Sequence, residues 1–252
     1  MAWEGTRADK NGKDNSDEQS YASMTFRIAF GCLALALFAA VPLSAAEAPF
    51  ADEVRLFGIE DEIYPPVGCE TLFIGSSSFR FWFRLQQEFA SRRVLKRGFG
   101  GASIADINSH FDNVVGRYRP SQIVFYAGEN DINSRKPVAS ILADFQSFLD
   151  RKSATLGSTP VFFVSAKPSP ARIADFALQT ELNQQVARLA DARADLIYVD
   201  IVKPMMRDGK PRPELFISDN LHMNEKGYAI WQEHVARALV DKRHGKVEAC
   251  GR

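Results

Sequence analysis

TLFIGSSSFRFW, residues Thr71 to Trp82, begins as an unbroken apolar run, stops at Gly75 and passes through three serines into a pattern with the helical period. A short run without alternation fits a strand buried on both faces. The same unit recurs. RVLKRGF (93–99), QIVFYAG (122–128), VFFVSA (161–166) and LIYVD (196–200) are further strand candidates. Helical patterns follow at 79–90, 103–118, 138–152, 171–191 and 224–242. Strand then helix, five times over, predicts an α/β domain: a five-stranded parallel sheet with helices on both faces.

The full chain has 252 residues, with 31 basic and 31 acidic side chains. A balanced charge excludes a global field that would steer the protein to nucleic acid or to an anionic membrane. The basic run SRRVLKR, Ser91 to Arg97, is expected as a solvated helix end leading into a strand.

Residues 1–23 are polar, charge-mixed and without apolar periodicity, which predicts a disordered extension. Residues 24–46 have the order of a secretory signal peptide: Met24, Arg27, an apolar run from Ile28 to Leu43, then small residues. The run of about 16 residues is shorter than the roughly 20 a spanning helix needs. Export to the periplasm or medium is therefore expected, with cleavage after Ala45 or Ala46, and an uncleaved anchor is the alternative. Translation from Met24 would place the signal at the amino terminus. Cleavage leaves residues 47–252 as one domain, with no stable membrane association and a net charge near about +1. Cys69 and Cys250 would then meet an oxidising compartment, where they either pair or stay apart.

In a parallel sheet of this kind, ligands bind at the carboxyl ends of the strands, where the strand order reverses. Residues proposed for chemistry should therefore fall just after a strand. After the first strand stand Ser76, Ser77 and Ser78, and serine at that place is also a common helix cap, the role expected for Ser78. GFGGAS supplies Gly98, Gly100 and Gly101 after the second, without the G-x-G-x-x-G spacing of a dinucleotide site. AGENDI brings Glu129, Asn130 and Asp131 after the third; ISDNLH ends the loop after the fifth, with Asp219 three residues before His222. Together these loops offer a hydroxyl, a backbone donor, a carboxamide and an acid with an imidazole. Ester hydrolysis needs such a set: a nucleophile, a base, a group to orient the base, and donors for an oxyanion.

The ordered blocks GSSS, FGGAS, GEND and DNLH resemble those of the SGNH, or GDSL-like, hydrolases, a family of serine esterases and acylhydrolases; the likeness runs from about Leu72 to Leu239. The resemblance implies a flavodoxin-like three-layer α/β/α sandwich and no metal or cofactor. Position by position, it makes Ser77 the nucleophile, Asp219 the acid and His222 the base. It places the oxyanion hole on the N–H of Ser77, the N–H of Gly101 and the amide of Asn130. Ser76 and Ser78 rival Ser77, and Gly100 rivals Gly101. Two departures stand out. Ser76 replaces the Asp of Gly-Asp-Ser, and Glu129 stands where a small residue is common.

The resulting expectation is an exported esterase acting on short acyl esters or acylated carbohydrate, through an acyl-enzyme. The alternatives are a non-catalytic envelope glycan binder and a nucleotide binder of the same fold, the second disfavoured by the missing phosphate fingerprint. His110 and His234 fit surface or packing positions. The aromatic set Phe79, Phe81, Trp82 and Phe83 fits core, with an acyl pocket as the other reading. Cys69 would lie at the sheet edge opposite the catalytic rim, where the last helix could deliver Cys250 to form a disulfide. Oligomeric state is not legible in the residues.

Overall fold

The computed structural model describes residues 48–240. The expectations for 1–23, for the signal at 24–46 and for Cys250 lie outside these residues. Strands β1 (Thr71–Gly75), β2 (Val94–Gly98), β3 (Gln122–Tyr126), β4 (Val161–Val164) and β5 (Leu196–Val199) form one sheet in the order β2-β1-β3-β4-β5. Every neighbouring pair is parallel. The α-helical segments, in chain order, are α1 (Ala51–Ile63), α2 (Ser77–Arg80), α3 (Leu85–Glu88), α4 (Ile104–Ser109), α5 (Phe111–Val114), α6 (Glu129–Asn133), α7 (Val138–Leu156), α8 (Phe176–Asp191), α9 (Val202–Met205) and α10 (Glu225–Val240). A small antiparallel hairpin, β6 (Met206–Arg207) with β7 (Lys210–Pro211), follows α9.

The three layers follow from the strands having two apolar faces. Leu72, Ile74, Ile123, Phe125, Val161 and Phe163 pack into one core with residues of α1, α4, α5, α7 and α8. Their neighbours Phe73, Val124, Tyr126, Phe162 and Val164 pack into the other, with α2, α3, α9 and α10. Successive side chains of a strand point to opposite faces, so a strand covered on both sides must be apolar throughout. Each large apolar side chain moved from water into these cores contributes about 1.5–3 kcal/mol. Among the described residues no helix is long and apolar enough to cross a membrane.

Two helix expectations are corrected. The 79–90 pattern forms two single turns, α2 and α3, rather than one helix. Phe79, Trp82 and Phe89 give up helical continuity to pack their rings around Phe73, and aromatic residues hold a helix only weakly in the first place. The 103–118 pattern breaks at His110, between α4 and α5. His110 is buried, with its ring edge-on to Phe99 and its Nε2 2.5 Å from the Pro49 carbonyl oxygen. It is thus a packing histidine.

Helix α1 has no counterpart in the sequence reading. Leu56, Ile59 and Ile63 on it stay exposed, so it lacks a continuous apolar stripe. A buried ion pair anchors it instead. Asp61 bonds the guanidinium of Arg97 on β2 and accepts a hydrogen bond from the Tyr118 hydroxyl at 2.8 Å. Arg97 is therefore buried, which corrects the expectation that the whole SRRVLKR run is solvated.

Without Asp61 the Arg97 guanidinium would keep Glu60 as its carboxylate partner at 3.1 Å, but one buried donor and the Tyr118 hydroxyl would lose their acceptor. We expect Asp61→Ala to lower unfolding stability by about 1–3 kcal/mol, read from the urea midpoint. An unchanged midpoint would mean that α1 is held by other contacts.

Candidate active site

Because β1 is flanked by β2 on one side and β3 on the other, the strand order reverses between β1 and β3. In parallel sheets, ligands bind at the carboxyl ends of the strands at such a switch point. The two strands run in register from Thr71↔Gln122 to Gly75↔Tyr126. A side chain at Gly75 would put its Cβ 2.1 Å from the Tyr126 carbonyl oxygen, so only glycine permits this approach. The Ser76 N–H donates to the same oxygen at 3.0 Å. This contact turns the chain sharply, and Ser77 becomes the first residue of α2. Ser76 occupies the N-cap position without making a side-chain cap, and Ser78 is buried inside the turn. The capping role expected of Ser78 is thus corrected. Of the three serines, Ser77 is the one whose hydroxyl meets an imidazole.

His222 comes from the other end of the domain. Asp219 closes a tight turn, its Oδ1 accepting from the N–H groups of Leu221 and His222 at 2.9 Å each. Its Oδ2 lies 2.6 Å from His222 Nδ1. Burial alone would raise the Asp219 carboxyl, but the hydrogen bonds from the His222 ring and from the two N–H groups outweigh it and hold the group below the usual carboxylate range. An ionised carboxylate only accepts, so Nδ1 must carry the proton and Nε2 presents its lone pair. Nε2 stands 3.0 Å from Ser77 Oγ.

Residues outside the motifs hold this alignment. Asn224 donates to the carbonyls of Glu214 and Phe216 at 3.0 Å each, and its Oδ1 accepts from Lys226 N–H at the start of α10. The Tyr228 hydroxyl of α10 reaches across to the Ser78 carbonyl at 2.9 Å, tying the serine turn to the helix that follows His222. Phe81 packs edge-on against the imidazole with ring centroids 4.8 Å apart. The aromatic set therefore divides: Phe79 and Trp82 are core, Phe81 borders the site and Phe83 is exposed.

The donor candidates converge on the same rim. Gly100 N–H is engaged by Glu53 of α1 at 3.0 Å, whereas no hydrogen bond of Gly101 N–H occurs among the described residues. Gly101 has φ +71°, a left-handed conformation that glycine takes freely, and it is exposed. Asn130, in the first turn of α6, donates one amide hydrogen to the Ala102 carbonyl at 3.0 Å. Its second amide hydrogen is left for a ligand.

Glu129 is buried beside Lys167 at 2.6 Å and bonds the Tyr126 hydroxyl. Burial works to raise its carboxyl, but the charges of Lys167 and Arg172 prevail and hold it below the usual range. Lys167 and Arg172 follow β4, on the same rim as the other loops. The rule that chemistry falls just after a strand could have found them. Among the described residues, no cluster of three His, Cys, Asp or Glu side chains could hold a metal ion. Cys69 precedes β1, at the end of the sheet opposite Ser77.

The fold is shared with a set of solved structures. A protein from Streptococcus pneumonia proposed as a platelet activating factor superposes with a TM-score of 0.67 at 20% identity, covering 75% of this chain and 92% of that one. A GDSL-like lipase from Bacteroides thetaiotaomicron gives 0.65 at 19% identity, covering 74% and 96%. A catalytic mutant of an acetylxylan esterase from Geobacillus stearothermophilus gives 0.56 at 14% identity, covering 69% and 96%. No curated protein matches the sequence. The family model described as the GDSL-like lipase/acylhydrolase family matches residues 70–230, which include every residue of the rim described above except Glu53. With the parallel sheet, its switch point and the serine turn in place, this match over most of the chain makes the protein a member of the GDSL-like lipase/acylhydrolase family.

Proposed function

We propose that the protein is an exported serine esterase that cleaves carboxylic esters, on short acyl groups or acylated carbohydrate. One observation carries this reading: His222 reaches Ser77 Oγ with one ring nitrogen, at 3.0 Å, and Asp219 with the other, at 2.6 Å. A serine hydroxyl is a weak nucleophile until a base takes its proton. As Oγ bonds to the ester carbon, the hydroxyl proton passes to His222 Nε2 and the carbonyl pair moves onto oxygen. Asp219 keeps the ring in the productive tautomer and stabilises the imidazolium.

The new oxyanion is met by the N–H of Ser77, the N–H of Gly101 and the free amide hydrogen of Asn130. Collapse expels the alkoxide, which leaves with the proton from His222, and an acyl-enzyme remains. Water then gives a proton to His222 and attacks the acyl carbon. The acid departs, and the proton returns to Ser77 Oγ. Every group in the cycle ends as it began.

Substrate class rests on the surroundings. Asp219 is exposed and Ser77 half-buried, so the site is open rather than sunk in a lipid tunnel. The acetylxylan esterase that shares the fold is an example of carbohydrate ester chemistry on this scaffold. Export is proposed from the order of residues 24–46, with cleavage after Ala45 or Ala46.

Three outcomes test the reading. A fluorophosphonate probe should label Ser77 and nothing else, and Ser77→Ala should abolish labelling and lower kcat by at least about 10⁴-fold. Full activity in that variant would end the proposal. Asn130→Ala should lower kcat by about 100- to 1,000-fold through loss of one oxyanion donor. His222→Ala should lower kcat by at least about 10⁴-fold, since among the described residues no other group bonds the serine hydroxyl; full activity in that variant would rule out His222 as the base. Edman sequencing of the secreted protein checks the cleavage site.

A further inference from the structure

We propose that Arg172 is a positioning residue that locks the Asn130 carboxamide with its N–H toward the oxyanion; the assignment rests on the esterase reading above. Its Nη2 donates to Asn130 Oδ1 at 3.0 Å, while Asn130 Nδ2 donates to the Ala102 carbonyl at 3.0 Å. Both contacts reject the flipped amide. In that orientation an NH₂ group would face the guanidinium, and the amide oxygen would face a carbonyl oxygen. The cation also withdraws electron density from the amide oxygen, which makes the remaining N–H a stronger donor.

Arg172 is itself held. Its Nη1 stands 3.2 Å from Glu129 Oε1, an ion-pair contact without hydrogen-bond alignment to a buried oxygen that accepts no hydrogen bond. The other carboxylate oxygen of Glu129 is taken by Lys167 and Tyr126. The Ala171 N–H donates to the Asn220 carbonyl at 3.0 Å, so the segment that carries Arg172 is also fastened to the loop of Asp219 and His222. One short stretch after β4 thus sets the oxyanion side and braces the acid–base side. The unusual Glu129 thereby acquires a role, because it anchors the cation that orients its neighbour.

The test is a double-mutant cycle with Asn130→Ala, on purified full-length protein and a chromogenic acetyl ester. Arg172→Met should lower kcat by about 10- to 100-fold with KM within about twofold, the range in which outer-shell partners act. In the Asn130→Ala background the same change should cost less than about threefold, because the group it orients is gone. Arg172→Lys, which keeps the charge but not the forked geometry, should give an intermediate kcat and the same non-additivity, and it serves if the Met variant does not fold. Equal fold losses in both backgrounds, or full activity in Arg172→Met and Arg172→Lys, would overturn the assignment and leave the esterase reading intact. Full activity in Ser77→Ala would overturn the esterase reading itself.

Discussion

The parallel pairing of β1 with β3 is the constraint on which the rest of the site depends. Because Gly75 lies opposite Tyr126, the serine turn and the Gly128–Asn130 turn leave the sheet side by side. A β-carbon at Gly75 would meet the Tyr126 carbonyl at 2.1 Å. The strands would have to separate, and with them the two turns. Backbone proximity comes first, and the side-chain chemistry is placed on top of it.

That proximity accounts for only half the constellation. Asp219 and His222 arrive after β5, at the far edge of the sheet order from β2, on a loop with little regular structure. Two devices bring them back. Asp219 folds its own turn by accepting two N–H groups, and Asn224 closes the loop above α10. Helix α10 then packs Trp231 and Val235 into the second core, and its Tyr228 hydroxyl reaches the Ser78 carbonyl. Burial of one helix thereby fixes a distance between residues 145 positions apart in the chain.

What is legible in the sequence divides along the same line. Strands covered on both faces announce themselves as unbroken apolar runs, which holds for β1, β3, β4 and β5 but not for the edge strand β2 with its Lys96 and Arg97. The rim rule then points to the loops after the strands, and the family resemblance selects Ser77, Gly101, Asn130, Asp219 and His222 within them. Features that depend on tertiary contacts are not readable. Helix α1 shows no continuous apolar stripe, and its anchors, Val54 in the core and the buried Asp61–Arg97 pair, depend on tertiary contacts. The 79–90 segment has helical spacing, yet its rings serve Phe73 and Trp231 rather than a helix. Ser78 and Arg97 depart from their expected roles for a shared reason: local sequence does not report burial.

Burial also explains why a charged cluster persists behind the rim. Desolvating Glu129, Lys167 and part of Arg172 costs more than an apolar cluster of the same volume would, and ion pairing in such a place only partly offsets the cost. A fold selected for stability alone would have no use for it. A carboxamide, however, has two nearly isosteric orientations, and apolar packing cannot tell them apart. Only a fixed charge or hydrogen-bonding group on one side can. Placing a cation against Asn130 Oδ1 requires an anion to hold that cation, and the anion in turn needs Lys167. Two buried charges and one partly buried cation thus act with the Ala102 carbonyl to fix one amide.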